Sequence, residues 1–187
     1  MIESSSQRRD VALPSNPHAA AWWREILVTL FPAALIVLAV NMLLIQPRVV
    51  HGQSMEPSLH NNQRVIIDVI SYRFRAPTRG EIVILRLSDR RGGPPLIKRV
   101  IGLPGDLVEI RDGSVYLNDR PLDEPYLDQT TPGSMAPQYV PADHVFVLGD
   151  NRSSSNDSRY FGVVPLKNIR GRAWLCYWPV EDMGVFR

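Results

Sequence analysis

Apolar and polar positions divide this chain into two regimes. From Ile26 to Ile45 the residues are apolar or neutral and none is charged, and about 20 residues at 1.5 Å each cover the roughly 30 Å hydrocarbon layer of a bilayer. Pro32 lies in the first turns of this run, where a missing amide donor costs least, and Trp22 and Trp23 precede it at the position of an interfacial aromatic belt. A cleaved secretory signal is the competing reading. Its apolar region is usually only about 7 to 15 residues long and ends in a small-x-small site, whereas this run is followed by Gln46-Pro47-Arg48. The pattern therefore predicts an uncleaved transmembrane anchor over 25–46, behind a disordered cytoplasmic tail over 1–24. Arg8, Arg9 and Arg24 before the span, against Arg48 and Arg64 after it, bias the N-terminus slightly toward the cytoplasm.

Beyond residue 47 the period shortens. Arg64 to Ile70, Glu81 to Leu87, Leu96 to Ile101 and Val145 to Leu148 are short runs rich in β-branched residues and bounded by proline, glycine or polar clusters, so they read as strands. Their nearly continuous apolarity predicts burial on both faces. Leu107 to Arg111 and Ser114 to Leu117 flank Asp112-Gly113, a pair that supplies the positive φ angles of a two-residue hairpin turn. Asn118-Asp119 marks another turn. From about Leu122 to Val140 the chain holds Pro125, Pro132, Gly133 and Pro137 without a clear period, which predicts a long surface loop. The expected fold is an all-β catalytic domain over 47–187, built of antiparallel barrel-like or sandwich-like sheets, with the hairpin and loop inserted at about 107–142, behind one N-terminal transmembrane helix.

Composition narrows the function. The chain has 187 residues, and its 16 prolines leave little room for long helices outside the anchor. Lys+Arg at 21 against Asp+Glu at 19 gives a net charge of only +2, so nothing predicts a nucleic-acid partner. Cys176 is the single cysteine, which excludes an internal disulfide. Four histidines and one cysteine show no ligand spacing, so neither a metal nor another cofactor is expected.

The chemistry-bearing residues lie in three places. Ser54 follows the anchor closely, within Gly52-Gln53-Ser54-Met55-Glu56-Pro57-Ser58-Leu59. Lys98 sits in the apolar strand Ile97-Lys98-Arg99-Val100-Ile101, which leads into Gly102-Leu103-Pro104-Gly105-Asp106. A polar loop, Gly149-Asp150-Asn151-Arg152-Ser153-Ser154-Ser155-Asn156-Asp157-Ser158-Arg159, follows a strand. A lysine serves as general base only when neutral, so its reference pKa of about 10.4 must fall by ~2 to 3 units, worth roughly 3 to 4 kcal/mol, which burial can supply. Alternation along the strand sends Lys98 and Arg99 to opposite faces, one into a site and the other to solvent or an acid. The plainer readings are a serine that starts a turn and a lysine whose stem covers the core while its amine reaches water. A serine-histidine mechanism is a further alternative, given His51, His60, His144 and Asp150, although Gly-x-Ser-x-Glu lacks the second glycine of a hydrolase elbow.

Taken together, Ser54 to Leu59, Arg79-Gly80-Glu81-Ile82-Val83, Lys98 to Asp106 and Gly149 to Arg159 resemble, in order, the motifs of the bacterial type I signal peptidases. These are membrane-bound Ser-Lys proteases that remove signal peptides from exported preproteins. The resemblance runs from the anchor to about Trp178. It implies Ser54 as nucleophile, Lys98 as general base, Ser155 as the serine that orients the lysine amine, and Asp157 with Arg159 as an ion pair holding the loop. It also implies an all-β fold, signal peptides with small residues at positions −1 and −3 as substrates, a bilayer as second partner, and an extracytoplasmic catalytic domain. The substrate is expected to lie extended along Val50 to Gly52 and Leu96 to Lys98, with Val50, Met55, Leu59 and Ile97 forming shallow pockets. Gly52 stands where some members carry a serine that donates its hydroxyl to the oxyanion, a donor worth about 10² to 10³ in rate. The remaining alternatives are another Ser-Lys processing protease, of the conjugation-pilin or self-cleaving-repressor kind, and a non-catalytic membrane-tethered module that binds extended peptides.

Overall fold

The computed structural model describes residues 17–87 and 94–186, with the side chains of 17–23 and 39–45 left out of the description. Two compact units divide at residue 41. The first is the helix α1, whose bounds are Pro17–Leu44 and which contains Pro32. The anchor predicted over 25–46 falls largely on it, and part of that range lies outside the described side chains. Among the described residues no helix is long and apolar enough to cross a membrane. The helix gives way at Ile45 because Pro47 disfavours helical backbone at Gln46, and the chain continues as the strand β1, Ile45–Val49.

The second unit is all-β. Strands β2 (Arg64–Asp68), β3 (Ile82–Leu85), β4 (Leu96–Gly102), β9 (His144–Leu148), β10 (Val164–Pro165) and β11 (Ile169–Trp178) join β1 in one antiparallel sheet of order β1-β2-β11-β3-β4-β9-β10, to which β12 (Gly184–Val185) adds beside β11. A second sheet, β7-β6-β5-β8, is formed by β5 (Leu107–Arg111), β6 (Ser114–Leu117), β7 (Arg120–Pro121) and β8 (Met135–Tyr139). The predicted all-β architecture and the strands read from apolar runs are present. All four residues of β3 are buried, as are the last five of β4.

The hairpin turns follow from their residues. Asp112 and Gly113 have φ of 52° and 75°, and Asn118 and Asp119 have 52° and 67°, the left-handed pairs that primed two-residue turns require and that Asp, Asn and Gly adopt most cheaply.

Two elements differ from the sequence reading. Part of the predicted loop from Leu122 to Val140 is the strand β8, which pairs with β5 through Leu107↔Tyr139, Val108↔Gln138 and Ile110↔Met135. It occupies a sheet edge, and Pro137 falls in the register shift, where no ladder donor is needed. The central strand β11, ten residues long, was hidden because its buried positions include Gly171, Ala173 and Cys176, residues too small to mark an apolar period.

Three apolar clusters fill the domain. One gathers Val50, Met55, Leu59, Val65, Ile67 and Ile84 under the loop that carries Ser54. A second joins the two sheets through Ile101, Val108, Val115 and Phe146, and a third packs Val83, Val100, Val147 and Val164.

Candidate active site

Ser54 lies in the turn-rich connection between β1 and β2, where Glu56 N–H donates to the Gln53 carbonyl and Leu59 N–H to the Met55 carbonyl. Met55 and Leu59 are 1% and 0% exposed, so this short turn is pinned from below by the core while Ser54 itself stays half-buried. Lys98 extends from β4, where its backbone opposes Val83 of β3. Its side chain is 2% exposed, and Nζ lies 2.6 Å from Ser54 Oγ and 2.9 Å from the Ile97 carbonyl oxygen, to which it donates.

Burial is the largest influence on this amine and lowers its pKa to about 8; the carboxylates of Asp157 and Asp150 oppose that shift, and Arg159 assists it. The desolvation that the sequence reading demanded is therefore present. When the amine is protonated, Nζ donates to Oγ. When it is neutral, the same separation lets the Ser54 hydroxyl donate to Nζ, the geometry of a base about to receive a proton.

Arg99, the next residue, turns the other way, as alternation along a strand requires. Its Nε and Nη2 bind both oxygens of Asp150 at 2.8 and 2.6 Å, Nη1 donates to the Gly80 carbonyl at 2.8 Å, and Nη2 reaches Ser58 Oγ at 3.0 Å. The strand carrying the amine is thus locked to the loop after β9 and to the turn after Ser54 by one buried guanidinium. Sequence reasoning gave Arg99 only a generic acid partner; the signal available was Asp150 at the start of the polar loop.

That loop is held at both ends. Asp157 accepts from Gly149 N–H at 3.0 Å and from Arg159 Nε and Nη2, each at 2.9 Å, so the ion pair predicted between Asp157 and Arg159 is formed. Asp157 also caps the short helix α2, Ser158–Phe161. Asn151 N–H donates to the Ser54 carbonyl at 3.1 Å. A Cβ on Gly149 would clash with Ser155 Oγ and with the Ser54 carbonyl oxygen, which accounts for glycine at that close approach.

Ser155 departs from its expected bond. Its Oγ is buried with no hydrogen-bond partner among the described residues, and the second partner of the Lys98 amine is the Ile97 carbonyl instead. The expected pocket residues also sit deeper than predicted. Val50, Met55 and Leu59 are core residues, and Ile97 packs half-buried against their cluster. Gly52 has φ of +89°, and its amide is taken by Asn61 Oδ1 at 2.9 Å.

No described hydrogen bond joins a histidine to Ser54. His51 and His60 are exposed, and His60 Nδ1 is 3.8 Å from Glu56 Oε1. Among the described residues no group of three or more His, Cys, Asp or Glu is placed to hold a metal.

Residues 23–178 match the family model described as "Signal peptidase, peptidase S26". The "Probable signal peptidase I-2" of Synechocystis sp. is 41% identical over 167 residues, covering 87% of this chain and 77% of that relative. Signal peptidase I S of Bacillus subtilis is 34% identical over 175 residues, covering 87% of this chain and 90% of the relative. A crystal structure of a signal peptidase I from Enterococcus faecalis matches at 36% identity over 52% of this chain and 97% of that one, with a TM-score of 0.46.

Proposed function

Since the chain belongs to the signal peptidase family, peptidase S26, of the bacterial type I kind, we propose that Ser54 and Lys98 form its catalytic dyad. The chain is a serine endopeptidase that removes signal peptides from preproteins. The observation that carries the dyad is the 2.6 Å contact between Ser54 Oγ and a buried amine whose pKa is brought down to about 8.

In the proposed reaction the neutral Lys98 amine takes the Ser54 proton as Oγ attacks the carbonyl carbon of the scissile bond. The resulting ammonium then returns that proton to the leaving amine, and an acyl-enzyme remains. The amine, neutral again, takes a proton from a water that attacks the acyl carbon, and the ammonium returns that proton to Ser54 Oγ as the acyl–oxygen bond breaks. The backbone N–H of Ser54, which makes no hydrogen bond among the described residues, is the proposed oxyanion donor. Ser155 is the proposed third partner of the amine, because a buried hydroxyl without a bond is costly unless the working state gives it one. Asp157 and Arg159 hold its loop.

The substrate is proposed to lie extended on the open edge of β4. Strand β9 pairs with Arg99, Val100 and Gly102 only, so Leu96 to Lys98 keep one side free for a peptide backbone. Val50, Met55, Leu59 and Ile97 are proposed to floor the sites for positions −1 and −3, and their deep packing supports sites too shallow for more than alanine-sized side chains. The proposed location is the cell membrane, with α1 as a single-pass anchor, the N-terminus cytoplasmic and the β domain outside. Its support is the uncharged run from Ile26 to Ile45 and the exposure of Leu27, Leu30, Phe31 and Ile36 at 60% or more.

The decisive assay is preprotein cleavage by the purified chain in detergent. Ser54→Ala and Lys98→Ala are each expected to lower kcat by at least about 10³. Normal cleavage by either variant, with the fold intact by circular dichroism, rejects the dyad.

A further inference from the structure

A cleft of about 420 Å³ opens on the face of the large sheet, at the end of β4 that precedes Lys98. Four arginines line it from four different segments: Arg48 of β1, Arg73 of the short helical turn after β2, Arg86 just past β3, and Arg170 of β11. All four are exposed. None makes an ion pair with a described residue, and the only described side-chain bond among them is from Arg48 to Gln46 Oε1 at 3.2 Å. Among the described residues no carboxylate lines the cleft, whose floor includes Ile67 and Ile84. Of the other described arginines, Arg75, Arg79, Arg99, Arg152, Arg159 and Arg172 each meet an acid within 3.3 Å, whereas Arg24, Arg64 and Arg120 meet none but are not gathered around this cleft. Four guanidiniums around one cavity make a site whose electrostatic complement is absent among the described residues.

The position of the cleft identifies what supplies that complement. Ile84, on its floor, pairs in register with Ile97, the residue before Lys98. Pro95, on its wall, lies three residues from Lys98 along the free edge of β4. An extended chain advances about 3.3 Å per residue, so a peptide laid on that edge with its scissile carbonyl at Ser54 puts side chains about three to five residues from the cut into the cleft. For a peptide that runs parallel to β4, these are the residues before the cut.

On the reading of Ser54 and Lys98 given above, we infer that this cleft is an upstream subsite that selects by charge. It accepts a carboxylate side chain at about positions −4 to −5, takes a neutral polar residue less well and rejects lysine or arginine. Repulsion of the wrong charge contributes as much to such discrimination as attraction of the right one.

The test uses the full chain in a zwitterionic detergent and three peptides spanning one cleavage site, identical except for Glu, Gln or Lys at −4. Wild type is expected to show kcat/KM in the order Glu, Gln, Lys, with Glu and Lys about tenfold apart at low salt and closer at 0.5 M NaCl. In the double variant Arg73→Gln with Arg170→Gln, the Glu-to-Lys ratio is expected to fall to about 2. Equal rates for the three peptides in wild type, or a ratio the double variant leaves intact, overturns the subsite while cleavage itself upholds the dyad. An unchanged ratio together with lost retention on vesicles of phosphatidylglycerol, but not of phosphatidylcholine, overturns it in favour of a lipid headgroup site. Failure of wild type to cut any of the three rejects the functional reading on which the inference rests.

Discussion

At the residue scale the proposed dyad is a balance between desolvation and charge. Lys98 keeps a pKa of about 8 because burial outweighs the attraction of Asp157 and Asp150. The sign follows directly. The folded amine holds its proton less tightly than the unfolded one, whose ordinary value is 10.5, so between about pH 8 and 10.5 the unfolded chain binds the extra proton and stability rises with pH. Below pH 8 the full cost of charging the buried amine is present, about 3 kcal/mol. Two outcomes follow from this one group. Cleavage should increase through a single ionisation near pH 8. In addition, the melting-temperature difference between Lys98→Met and wild type should move in favour of wild type as the pH goes from 7 to 10. A pH profile with its midpoint near 6.5 would instead indicate a histidine base, and a melting difference that does not change with pH would remove the desolvated lysine.

At the scale of elements, the segment between β7 and β8 works as a strap across the site. Arg152 follows Asn151 in the polar loop and is 1% exposed. It donates to the Gly149 carbonyl at 3.0 Å, to Thr131 Oγ1, and to both carboxylate oxygens of Glu124 at 2.5 and 3.1 Å. Tyr126 donates to Glu124 at 2.5 Å and stacks its ring 3.9 Å from the Arg99 guanidinium. One loop therefore grips both the strand of Lys98 and the loop that supports the Ser54 carbonyl. Removing the acid leaves a buried, uncompensated guanidinium, a loss of about 3 to 5 kcal/mol. Glu124→Ala should accordingly lower Tm by roughly 10 °C, whereas Glu109→Ala, whose partner Arg111 has a 42% exposed side chain, should shift it by about 1 °C. Equal shifts for the two variants would mean that the strap bears no load.

The strap also shows where sequence reading stopped. Ser54, Lys98 and the Asp157–Arg159 pair were legible because each sits in a local motif, and the hairpin because Asp-Gly encodes its own turn. Glu124, Tyr126 and Arg152 act through contacts 21 to 28 residues away in the chain for Arg152, and no period or spacing records such a meeting. The same segment read as an unstructured loop because its prolines and polar residues lack alternation. Pro137 is tolerated in β8 only because that strand lies at an edge.

At the scale of the whole molecule, the proposed anchoring assigns folding and delivery to different parts of the chain. Every member of the three apolar clusters lies beyond residue 49, and the clusters close on residues of the β domain alone. With no cluster member on the helix among the described residues, a chain beginning at Met42 should keep the melting temperature of the β domain within about 2 °C. What it loses, on the proposed anchoring, is co-localisation. An anchored enzyme and an anchored substrate meet at an effective concentration set by the membrane, and avidity of that kind is worth about 10² or more without any new contact. The shortened chain should therefore cut a soluble peptide with kcat/KM within about threefold of the full chain, yet process a preprotein held in vesicles at least about 100-fold more slowly. Comparable slowing on both substrates would show that α1 shapes the catalytic domain rather than bringing it to its substrate.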